Sequence, residues 1–109
     1  MNEYNRARHS VYKLTYHIIF ITNWRKPFIT NELGDFMVDT IKRLCISIGG
    51  ELISGETDRD HIHLLVSLPP QIKVSDVIRI FKSQLSRAIH SNPKYNRYVK
   101  KYIYGDAPL

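Results

Sequence analysis

Only three polar residues, Asp58-Arg59-Asp60, separate the segment ELISGET from the segment HIHLLVSL. A connection that short joins strands running antiparallel, because a parallel pair needs a crossover of a dozen residues or more. In the second segment Ile62, Leu64, Val66 and Leu68 recur at every second position, the period that gives a pleated strand one apolar face. His61 and His63 stand side by side on the opposite face, and Leu65 takes the next place there. Pro69-Pro70 stops the run, since proline has no N–H for a sheet ladder.

The flanks extend this hairpin into a domain. Residues 11–22, VYKLTYHIIFIT, are rich in β-branched and aromatic residues and predict a long strand. One face holds Tyr12, Leu14, Tyr16, Ile18 and Phe20, with both tyrosines expected in the core. The other holds a mixed set, Val11, Lys13, Thr15, His17, Ile19 and Ile21. NWRKPF breaks the alternation at Pro27. From Asn31 the spacing becomes helical, with Leu33, Phe36, Met37, Ile41, Leu44, Cys45 and Ile48 three and four apart. Thr30 or Asn31 caps the start of this helix, and Gly49-Gly50 ends it. Beyond the prolines Ser75 is expected to cap a second helix, 76–90, that buries Val77, Ile78, Phe81, Leu85, Ala88 and Ile89. The order β-α-β-β-α predicts an α+β fold, a ferredoxin-like antiparallel sheet with helices packed on it and the histidine pair on a central strand.

With 109 residues the chain makes one domain, 1–109, and its 43% apolar content suits a packed core. There are no repeats, low-complexity tracts or linkers. Sixteen Lys and Arg against ten Asp and Glu leave a net charge of +6 and a pI near 9.6. That surplus favours a polyanionic partner, nucleic acid before membrane, although many soluble domains are mildly basic. Cys45 is the sole cysteine, which excludes an internal disulfide and a multi-cysteine zinc cluster; it reads as a small core residue. The N-terminal residues carry no apolar stretch of a secretory signal, and no segment approaches a membrane span. The expected compartment is the cytoplasm.

Two imidazoles projecting from one rigid strand suit a metal ion, since both can donate a ring nitrogen. Two are too few for a structural zinc site, which takes four protein ligands. Taken alone, an H-x-H pair is more often two satisfied core histidines or a chance pair on an open face. The surrounding motifs change that balance. VYKLTYHIIFITNWRKPF, DRDHIHLLVSLPP and VSDVIRIFKSQLSRAIH, in that order, closely resemble the HUH single-tyrosine transposases of the smallest bacterial insertion sequences (TnpA-type, REP-associated-transposase-like) over essentially the whole chain. In such a protein His61-Ile62-His63 is the HUH motif.

The resemblance implies a DNA transposase that binds single-stranded DNA with hairpin ends, acts as a homodimer, and cleaves and rejoins strands through a 5′-phosphotyrosine. It implies a divalent cofactor, Mg²⁺ or Mn²⁺, with His61 and His63 as ligands. Mn²⁺ tolerates nitrogen donors better than Mg²⁺ does. Glu56 and Asp60 are nearby carboxylates, read as solvated hairpin residues rather than ligands. The chain departs from the family pattern at its end. The nucleophilic tyrosine of the family lies on a helix after a Trp-containing segment, with a polar ligand four positions on. Here KKYIYGDAPL closes the sequence, and none of the seven tyrosines has those surroundings. Tyr98 is followed at that spacing by Tyr102, and Tyr95 by Val99. The expectation is therefore a folded metal- and DNA-binding domain impaired in catalysis.

For the DNA surface the candidates are Arg25 and Lys26 after the first strand, and Arg79, Lys82 and Arg87 with Ser83 and Ser86 on the polar stripe of the second helix. Lys94, Arg97, Lys100 and Lys101 add a basic tail. Trp24 is placed either to stack on an unpaired base or to pack in the core. Three other readings stay open: a non-catalytic DNA- or RNA-binding regulator on the same fold, a metal-dependent phosphodiesterase using water, and a structural module without ligands.

Overall fold

The structure is a computed structural model, and it describes residues 12–97. Three strands, β1 (Leu14–Ile21), β2 (Glu51–Thr57) and β3 (His61–Leu68), form one sheet in the order β1-β3-β2. Both outer strands run antiparallel to β3, so β1 and β2 are parallel to each other and the helix between them is a crossover. Helix α1 (Asn31–Ser47) makes that crossover, and α2 (Val74–Ser91) follows β3. This is the expected α+β arrangement, with the histidine strand at the centre.

One face of the sheet and both helices share the core. Ile18 and Phe20 of β1 and Ile62, Leu64, Val66 and Leu68 of β3 meet Leu33, Met37, Ile41 and Cys45 of α1 and Val77, Phe81, Leu85 and Ile89 of α2. Burying side chains of this size contributes about 1.5–3 kcal/mol each, and this shared core fixes which face of β3 points inward. Gly34 lets α1 lie close on β2, because a Cβ there would collide with the Thr57 side chain.

Thr30 caps α1, its hydroxyl oxygen accepting from the Leu33 N–H at 3.1 Å. Gly49, at φ +82°, takes the left-handed turn that ends the helix. Three expectations need correction. Helix α2 begins at Val74 with Lys73 as its cap; the Asp76 and Val77 N–H groups donate to the Lys73 carbonyl, which places Ser75 inside the first turn. Strand β1 begins at Leu14 rather than at residue 11. Tyr12, ahead of the first paired residue, is exposed, whereas Tyr16 packs against the core as expected.

Candidate functional site

Register assigns the histidines to the open face. Ile21 pairs with His61 and Ile19 with His63, and directly opposed residues of an antiparallel pair point the same way. Ile19 and Ile21 alternate with the buried Ile18 and Phe20 and stand exposed. His61 and His63 therefore face away from both helices. From the other side Glu56 stands opposite His63. His17, two residues before Ile19, brings its ring edge-on to His63 with centroids 5.0 Å apart. His17, Ser54, Glu56, His63 and Leu65 line a shallow cavity of about 110 Å³.

His61 is oriented by a relay. Its Nδ1 lies 2.9 Å from Asp60 Oδ1, and the other Asp60 oxygen, Oδ2, lies 3.5 Å from Arg25 Nη1. A carboxylate can only accept, so the proton sits on Nδ1 and the Nε2 lone pair is left for a ligand. The hydrogen bond from His61, helped by the charge of Arg25, holds the Asp60 carboxyl below the usual carboxylate range. Asp60 is thus a partner of His61 rather than a solvated hairpin residue. Glu56 keeps its exposure, but beside His63.

The donor set suits a divalent ion such as Mn²⁺: two imidazoles on one strand face, one fixed in the tautomer that frees a ring nitrogen. Among the described residues no group of three or more His, Cys, Asp or Glu side chains is arranged to hold an ion. Beyond His61 and His63, coordination would fall to phosphate oxygens and water.

The basic candidates form two groups. Arg79, Lys82 and Arg87 line one groove of about 770 Å³ on the outer side of α2, with Ser75, Ile78, Ser83, Ser86 and His90. Arg79 pairs with Asp76 at 3.2 Å and stays largely exposed. Lys82 places its ammonium 5.9 Å from the centre of the Phe20 ring. This groove belongs to the helical side of the sheet and the histidines to the open side. Arg25 and Lys26 lie between the two, in the turn that leaves β1. Lys94 is drawn out of the proposed tail by its ion pair with Glu32, which raises its pKa. Arg97 is exposed; Lys100 and Lys101 lie outside the described residues.

That turn is braced. Residues Asn23–Arg25 form a single 3-10 turn in which Trp24 (φ 58°, ψ 19°) and Arg25 (φ 51°) both adopt left-handed backbone, a conformation costing a non-glycine residue about 1–2 kcal/mol. The buried Thr22 hydroxyl donates to the Lys26 carbonyl at 2.9 Å and lies 3.2 Å from the Asp60 carbonyl. Trp24 is 80% exposed, which removes core packing as its role.

Of the tyrosines considered for catalysis, Tyr95 is buried, with its ring 5.1 Å from that of Phe36. Tyr98, Tyr102 and Tyr104 lie outside the described residues. His17 is the site residue the sequence reading did not single out. It was visible on the mixed face of the first strand, but only the β1–β3 register makes it a neighbour of His63.

Comparison with known proteins bears on this arrangement. Residues 10–107 match the family described as "Transposase IS200 like". Over 85 residues the chain is 32% identical to the ISDra2 transposase TnpA of Deinococcus radiodurans, covering 78% of this chain and 61% of the relative. Over 90 residues it is 24% identical to the transposase for insertion sequence element IS200 of Salmonella typhimurium, covering 83% and 59%. It spans about 60% of the length of these curated relatives. A crystal structure from Deinococcus radiodurans, of a protein assigned as a transposase, superposes with a TM-score of 0.70 at 30% identity, covering 78% of this chain and 70% of that one.

Proposed function

The chain belongs to the IS200-like transposase family, and from that premise we propose that it binds single-stranded DNA with hairpin ends for the cleavage and rejoining of an insertion sequence. The observation that carries this reading is the histidine pair on the open sheet face, with His61 locked by Asp60 and Arg25. His61 and His63 would hold Mg²⁺ or Mn²⁺, and such an ion polarises a phosphodiester and offsets the charge that develops as it is attacked. Arg25 and Lys26 would take phosphates near the histidines; Arg79, Lys82 and Arg87 would take them along α2. The buried Tyr95 and the half-buried Tyr16 are not placed to supply a nucleophile.

Calorimetric titration with Mn²⁺ tests the metal half of this reading. One ion per chain is expected for the parent protein, and none for the His61→Ala, His63→Ala double variant. Equal binding by the two proteins would remove the histidines from the site. Mixing with a hairpin oligonucleotide tests the other half. Release of DNA ends without a covalent adduct would favour the phosphodiesterase reading, and binding without cleavage the regulator.

A further inference from the structure

We propose that Trp24 is a stacking platform for an unpaired base, positioning the single strand as it passes from the α2 groove to the histidine face. The inference rests on the DNA-binding reading above and names a contact that it lacks. Trp24 is the only tryptophan of the chain and presents its ring to solvent from a fixed turn. Burial would be the default for an indole; here a left-handed backbone keeps it outside. Strained residues of this kind persist where their surroundings over-determine them, and they gather at functional sites.

The surroundings do over-determine this one. The Thr22 N–H donates to the Asp60 carbonyl at 2.9 Å, the Arg25 N–H to the Thr22 carbonyl at 3.0 Å, and the Ile29 N–H to the Arg59 carbonyl at 3.0 Å. The turn is thereby fastened to the β2–β3 connection that precedes His61. Through Arg25, Asp60 and His61, side-chain contacts link the residue beside the indole to a candidate metal ligand. On the helical side Lys82 reaches over Phe20, one residue before Ile21, which pairs with His61. This rim lies between Lys82 on the helical side and His61 on the open side, so a strand passing over it reaches both. Arg25, which keeps 70% of its side chain exposed while touching Asp60, puts positive charge next to the indole, so an anionic group and a π-face are both complementary to this turn. A nucleotide has both.

Because Trp24 is alone, intrinsic fluorescence reports on it directly. The probe is a fluorescein-labelled hairpin oligonucleotide with a single-stranded flank, its binding followed independently by anisotropy. Binding should quench indole emission, and a blunt duplex should leave it unchanged. Trp24→Asn should weaken binding about ten-fold, while Trp24→Phe keeps most of it. Asparagine tolerates left-handed backbone, so the melting temperature of Trp24→Asn should equal or exceed that of the parent. Anisotropy showing tight binding with unchanged emission and an unaffected Trp24→Asn variant would overturn the platform and leave DNA binding standing. Absence of any anisotropy change would remove both.

Discussion

Asp60 does two things at once: it fixes the proton on His61 and holds the Arg25 guanidinium beside the turn. Asp60→Asn keeps the shape but removes the charge that selects the tautomer. It should weaken Mn²⁺ binding by about ten-fold or more, as losing a carboxylate behind a metal-bound histidine does, with the melting temperature nearly unchanged. Calorimetry on parent and variant measures this, and equal affinity would contradict the relay. The His61–His63 pair was legible in the sequence because H-x-H is a local pattern with a fixed period. Asp60, Glu56 and His17 were not, since their roles depend on rotamers and on cross-strand register, which period-two alternation leaves open. Cys45 is fully buried in the core, as its helical spacing predicts, and burial of its thiol matters at high pH. Desolvation pushes its thiol from the ordinary 9.0 to about 11. Between those values the unfolded chain releases a proton that the folded chain retains, so stability falls as pH rises, by at most about 1.4 kcal/mol per pH unit. Lys94 acts in the same direction, because its bond to Glu32 is lost as pH climbs through a raised pKa. Urea unfolding from pH 8 to 11 should show the decline, shallower in Cys45→Ala; an identical slope in that variant would refute the thiol's part.

At the scale of elements, strand and helix periods survived folding almost intact. The alternation at 61–68 placed Ile62, Leu64, Val66 and Leu68 in the core, and all four are fully buried or nearly so. The misplaced start of α2 has a clear cause. Serine is a strong cap former, but the Lys73 carbonyl already accepts from the Asp76 and Val77 N–H groups, so the chain is helical from Val74 and Ser75 falls inside the first turn. Strand β2 contains a bulge between Leu52 and Ser54 that no residue type announced. The close approach at Gly34 was equally silent, since it depends on Thr57 in another element. Both outer strands leave one edge unpaired among the described residues, and an edge of that kind recruits another chain. We therefore expect a two-fold homodimer. Light scattering should give twice the mass of the chain, and a monomer at high protein concentration would count against it.

For the molecule as a whole, the sequence indicated both a basic surface and a histidine pair, and folding separates them. The α2 groove is on one side of the sheet, the histidines are on the other, and the Thr22–Lys26 turn lies at the rim between them. That layout was beyond the sequence, because helical and strand periods define faces without saying how the faces are disposed in space. Such a layout would suit the proposed single strand, running from one basic group to the other, better than a flat duplex. If this surface holds hairpin-containing single-stranded DNA, as proposed, affinity measured against salt for the parent and for the Arg79→Ala, Lys82→Ala, Arg87→Ala variant will show it. The parent should bind at low salt and weaken steeply as salt rises. The variant should bind less tightly, with a log–log slope shallower by about 2, given roughly 0.7 per phosphate contact on a single strand. No binding at low salt, or an unchanged slope in the variant, would rule out the α2 groove as a DNA surface.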